Sequence, residues 1–143
     1  MNIHQISVFL ENRTGQLAEI TQLLAENNID IRALSIAETT DYGLVRMIVD
    51  DAHRASSVLL AHGDILSMTP VWAVEVPDEA GGLAQLLALL AENHVDVEYM
   101  YSLFTHKDGH AYMVLRISDE AAFLAAMEKN SIRVVGNDIL GLK

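Results

Sequence analysis

Two short stretches of this chain combine residue types that can hold a small charged molecule. They are Asn12-Arg13-Thr14-Gly15-Gln16-Leu17 and Asp78-Glu79-Ala80-Gly81-Gly82-Leu83. In each, a polar loop ends on glycine just before a helical pattern begins. A helix start leaves three or four backbone N–H groups unbonded and carries the positive end of a dipole, a natural seat for a carboxylate. Gly15 and Gly81 put no side chain in the way of a close approach. The loops differ in charge, because Arg13 corresponds to Glu79 and Asn12 to Asp78. If they face one another across an interface, one end favours an anion and the other a cation, which would suit a zwitterionic amino acid. The alternative is that Asn12 and Asp78 simply cap helices and Arg13 is solvated.

The remaining chemistry-bearing residues read as structural. His106 and His110 are four apart, but Lys107-Asp108-Gly109 between them reads as a hairpin turn. A His-x-x-x-His ligand pair depends on helical geometry, so no metal is expected there. His4, His53, His62 and His94 show no ligand spacing. Gly81-Gly82 lacks the rest of a nucleotide-binding glycine motif. Tyr99 and Tyr101 alternate on one strand and read as packing, with ligand contact as the alternative. Met47, Met100 and Met113 read as core, and Asp50-Asp51 as a helix start. With no nucleophile–base or metal-hydrolase motif, no catalytic residue, metal or cofactor is expected.

The elements that must position the two loops form an internal repeat. Residues 15–31 lie over 81–97 at an offset of 66, and nine of seventeen positions are identical. The same offset pairs Gly43 with Gly109 and Met47 with Met113, after which the second copy runs about two residues longer. Each copy reads strand, helix, strand, strand, helix, strand. In the first, Ile6, Val8 and Leu10 alternate with Ser7 and Phe9 as a strand. Leu17, Ile20, Leu24 and Asn27 then share one helical face, flanked by Leu23. Asn27-Asn28 closes that helix. Residues 29–39 and 44–49 read as strands around a turn at 40–43, and a helix runs from Asp50-Asp51 to about His62. A strand begins at 65–68.

The second copy repeats this with strands at 72–76, 96–105 and 111–117, helices ending at Asn93 and near Asn130, and a last strand at 132–135. Pro70, at the junction, favours a bend or an edge position. The tail 138–142 reads as a further short strand. No Gly/Ser-rich spacer separates the copies, so two domains, 1–70 and 71–143, are expected in fixed contact.

Composition narrows the function classes. The chain is 51% hydrophobic but only 6% aromatic, so its core must be aliphatic. A net charge of −11 repels phosphate backbones and anionic lipid, which argues against nucleic-acid and membrane-surface roles. The absence of cysteine excludes a disulfide framework, and the N-terminus lacks the features of a signal peptide, so a cytoplasmic location is expected.

On these residues the chain resembles the ACT domain family, twice over. The carrying segments are Gly15-Gln16-Leu17 with Asn28-Ile29-Asp30-Ile31, and Gly81-Gly82-Leu83 with His94-Val95-Asp96-Val97. The family's loop proline is absent from both copies, which have Thr14 and Ala80. The resemblance implies an α+β fold of two tandem ferredoxin-like βαββαβ units, paired side by side, with antiparallel sheets and helices on one face. It further implies a non-catalytic regulator that holds an amino acid or related small metabolite between ACT units. The site residues would be Asn12, Arg13, Thr14, Gly15, Gln16, Leu17, Asn28 and Ile29, with Asp78, Glu79, Ala80, Gly81, Gly82, Leu83 and Val95. The expected partners are a second copy in a homodimer or, in the alternative reading, an amino-acid biosynthetic enzyme such as acetolactate synthase.

Overall fold

The computed structural model describes residues 1–11, 13–38 and 41–143, so Asn12, Thr39 and Thr40 lie outside the described residues. The chain divides into two compact units. One comprises His4–Thr69 with Gly141–Lys143, and the other comprises Pro70–Leu140 with Met1–Ile3.

In the N-terminal unit the order is β1 (Ile3–Glu11), α1 (Gln16–Glu26), β2 (Ile31–Glu38), β3 (Tyr42–Val49), α2 (Ala52–His62) and the start of β4 (Leu66–Pro77). β3 lies between β2 and β1, pairing antiparallel with each. The alternation of β1 sends Ile6, Val8 and Leu10 to one face. There they meet Ile20 and Leu24 of α1 and Ala55 and Leu59 of α2, and close an aliphatic core with Val45 and Met47.

β4 continues into the C-terminal unit, followed by α3 (Gly82–Glu92), β5 (Val97–Lys107), β6 (His110–Ile117), α4 (Glu120–Lys129), β7 (Val134–Val135) and α5 (Asn137–Leu140). β4 pairs antiparallel with β6 and β7, and β6 with β5. Trp72, Val74 and Val76 meet Leu86 and Leu90 of α3 and Phe123 and Met127 of α4. Each unit is thus an antiparallel sheet with two long helices on one face.

The duplication reaches fine detail. β2 and β5 both shift register one residue after they begin, between Ile31 and Ala33 and between Val97 and Tyr99. Asp50 Oδ1 accepts from Asp30 N–H at 2.9 Å, and Ser118 Oγ accepts from Asp96 N–H at 3.0 Å. α2 and α4 are both capped by aspartate, Asp51 accepting from Arg54 N–H and Asp119 from Ala122 N–H.

Three expectations are corrected. β4 runs unbroken through Pro70, since proline removes one donor and the Pro70 carbonyl accepts from Arg116 Nη1 at 2.9 Å. β3 begins at Tyr42, inside the expected turn, because the Glu11–Tyr42 and Leu10–Gly43 pairs extend its ladder with β1. The tail forms the short helix α5, where Leu140 N–H donates to Gly136 O, and adds no strand.

Candidate ligand site at the glycine-opened loops

The two helix starts that follow the polar loops are built differently from those of α2 and α4. α1 and α3 open on Gly15 and Gly81, at φ +85° and +88°, with no side chain capping either. Only glycine adopts that left-handed conformation at no steric cost. Gln16 N–H and Gly82 N–H donate to the Arg13 and Glu79 carbonyls, and the next N–H groups of each first turn are left without the oxygen that an aspartate or serine would supply.

Behind the first loop lies a recess of about 380 Å³. Arg13, Gly15, Gln16 and Leu17 contribute from the loop and helix, Glu11 and Leu10 from β1, and Ile36, Tyr42 and Gly43 from β2 and β3. Tyr42 borders it from the ladder position opposite Glu11, while its ring stacks on Phe9 at 4.9 Å on the sheet face away from α1. The wall is therefore apolar on the sheet side and polar at the helix start.

Two features of this recess escape sequence reasoning. Gln16 sits at the first position of α1, where a polar residue reads as solvated, yet it is only 8% exposed. Its buried Oε1 has no hydrogen-bond partner among the described residues. The one available signal is the difference at offset 66, since the second copy has Gly82 there. The other feature is a charged chain behind the loop. Arg13 Nη1 meets Glu19 Oε2 at 3.1 Å, Glu19 Oε1 meets His62 Nε2 at 3.2 Å, and His62 Nδ1 meets Asp64 Oδ2 at 2.8 Å. The hydrogen bond and charge of Arg13 hold the Glu19 carboxyl below its ordinary value, with His62 adding to the effect. The hydrogen bond to Asp64 holds the His62 imidazole above its ordinary value.

The other expected site residues fall into three groups. Thr14 is exposed beside Gly15, while Asp78, Glu79, Ala80, Gly81 and Leu83 are exposed around the start of α3. Gly82 is buried there because its helix start presses on β4: an added Cβ would come 2.1 Å from Pro77 O. Asn28, Ile29 and Val95 stand at the far ends of α1 and α3, about 16 Å from the loops for helices of this length. Asn28 takes φ +56° and is exposed, whereas Ile29 and Val95 are 5% and 4% exposed within the two cores. Within each unit the described residues of the loop lie together at the helix start, and these three lie apart from them. Among the described residues no cluster of three or more His, Cys, Asp or Glu side chains is arranged to hold a metal ion. His106 and His110 flank the β5–β6 turn, on the strands it joins.

A family model described as an ACT domain pair matches residues 1–139. The chain belongs to the ACT domain family. A solved structure of the protein BT0572 from Bacteroides thetaiotaomicron is 33% identical, with a TM-score of 0.90 over 99% of this ACT pair and 96% of that chain. The ligand-free regulatory subunit of aspartate kinase from Thermus thermophilus is 18% identical, with a TM-score of 0.66 over 88% and 91% of the two chains. The corresponding subunit from Thermus flavus gives 18% and 0.62 over 90% and 92%. No curated protein matches. No helix among the described residues of the ACT pair is long and apolar enough to cross a membrane.

Proposed function

We propose that this ACT pair is a non-catalytic regulatory protein that binds a free amino acid in the recess behind Gly15. The observation that carries this reading is the buried, unpartnered Gln16 carbonyl beside an uncapped helix start. Leaving such an acceptor unsatisfied costs about 1–3 kcal/mol, which a ligand donor can offset. An α-amino acid supplies complementary groups: its carboxylate suits the α1 N–H groups and Arg13, and its ammonium suits Gln16 Oε1. Leu10, Leu17 and Ile36 then offer apolar contact to its side chain.

Isothermal titration with the common amino acids is the test. At least one should bind, and Arg13→Gln should weaken it roughly tenfold through loss of a charge-assisted contact. A full panel that gives no heat, or a ligand indifferent to both Arg13→Gln and Gln16→Met, would refute the assignment.

A second reading, regulatory subunit of an amino-acid biosynthetic enzyme, is favoured by exposed apolar side chains on β1, β2 and β3. Phe9, Ile36 and Tyr42 are 37%, 48% and 42% exposed. The aspartate kinase regulatory subunits from Thermus share the fold. Co-purification of a biosynthetic enzyme, lost in Phe9→Ser with Ile36→Ser, would support this reading; a chain that purifies alone would count against it.

A further inference from the structure

The C-terminal unit holds a second recess, of about 370 Å³, which shares only Gly82 with the loop residues considered above. It lies between α3, through Gln85 and Leu89, and the segment leading from α4 to β7, through Asn130 and Arg133.

The repeat supplies an internal reference for this space. Phe9 N–H donates to Ile65 O, and Glu75 N–H donates to Arg133 O, so the copies align at offsets of 66 (75 − 9) and 68 (133 − 65). By that alignment Gly82 stands where the N-terminal unit has Gln16, and Gln85 where it has Glu19. Asn130 and Ile132 likewise replace His62 and Asp64. In the N-terminal unit these positions are filled by the chain's own groups. Gln16 is buried, Glu19 and Asp64 both bond His62, and the Asp64 side chain is 8% exposed. In the C-terminal unit glycine replaces the glutamine and the ion pairs are gone. The frame persists: α3 closes onto Pro77 at Gly82, and the slot stands open farther along, between Gln85 and Leu89 and residues 130–133.

The chemistry of its wall selects an occupant. Val76, Leu86 and Leu89 give it an apolar side. Of its charged residues, Glu75 has a side chain only 9% exposed and is already paired with Lys107. Arg133 makes no ion pair among the described residues. Arg133 is the unpaired charge of the lining, and the start of α3 adds to it, with Asp78 and Glu79 beside that start lying outside the lining. The volume falls at the small end of metabolite pockets.

We propose that the C-terminal unit binds a small aliphatic carboxylate in this slot, at a site separate from the Gly15 recess. Its occupant supplies the carboxylate that the N-terminal unit supplies from its own chain at Glu19. The proposal goes beyond the amino-acid reading of the first loop and does not depend on it.

Amide NMR titration of the full chain tests it, with 2-oxopentanoate, L-norvaline and n-butylamine as probes. The two acids share a carboxylate and a propyl chain, and comparing them shows whether an ammonium is tolerated. A saturable shift of the amides of Gly82, Gln85 and residues 131–133 at millimolar levels of either acid is expected, without the same response to the amine. Arg133→Gln should weaken the dissociation constant roughly tenfold. The double variant Gln85→Glu/Asn130→His, which rebuilds part of the N-terminal ion-pair frame, should abolish the shift while leaving the other resonances in place. The proposal is overturned if neither acid moves these amides or if butylamine moves them as strongly. Shifts at residues 15–18 report the first recess independently, so either site can fail without the other.

Discussion

Gln16 carries a tension between stability and binding. A buried carbonyl without a donor costs the folded state about 1–3 kcal/mol, so Gln16→Met should raise ligand-free stability by about 1 kcal/mol while removing the ligand response. Urea unfolding with and without ligand reads both effects. A variant that loses stability and still binds would show that the amide is structurally bonded. The Arg13–Glu19–His62–Asp64 chain makes a separate prediction. The raised value of His62 means that its contribution is complete below its ordinary value of 6.5 and is lost as pH rises through the raised one. Glu19, with a lowered value, contributes above its ordinary 4.5 and loses that contribution as pH falls through the lowered one. The chain is therefore strongest between the two. Melting temperature should fall as pH rises above 6.5, and His62→Gln should flatten that slope. An unchanged slope in the variant would assign the pH dependence elsewhere. Both partners of the Arg13–Glu19 pair are exposed, 50% and 43%, so that pair adds little stability.

At the scale of elements, the four long helices divide into two classes of start. Asp51→Ala and Asp119→Ala should each cost about 1 kcal/mol, because each removes the acceptor for a first-turn N–H. Gly15→Ala should cost about 1–2 kcal/mol from backbone strain alone, since nothing lies within 4 Å of an added Cβ. Gly82→Ala should cost more, at least about 2–3 kcal/mol, because its Cβ meets the Pro77 backbone. Equal effects in the two glycine variants, measured by urea unfolding, would contradict the close approach of α3 to β4. These elements were largely legible in the sequence, because alternation in β1, the apolar face of α1 and the aspartate caps are local signals. Pro70 misled because a single missing donor was weighed as a bend or an edge, although its carbonyl still accepts from Arg116 and the strand continues through it. The tail misled because Ile139 and Leu140 read as strand-forming, while five residues carry too little pattern to choose. Gln16 was illegible as a buried residue because its burial comes from tertiary packing around the recess.

On the scale of the whole molecule, duplication fixed the frame and left the cavities unlike. The N-terminal unit opens its recess toward β2 and β3 and fills the space behind α1 with charged side chains. The C-terminal unit seats α3 tightly on Pro77 and leaves the corresponding space open. A sequence comparison of the copies reveals the changed residues, such as Arg13 to Glu79 and Gln16 to Gly82. Which cavity each change closes depends on side-chain packing that the alignment does not contain. The central claim, that the ACT pair is a sensor of free amino acids, is tested most directly by thermal unfolding of the full chain against the common amino acids. Ligand at about 100 times its dissociation constant should add about 2.7 kcal/mol of stability. The account predicts a rise in melting temperature with one or a few amino acids, which Gln16→Met abolishes. No rise with any amino acid at millimolar concentration, or an equal rise in Gln16→Met, would contradict it.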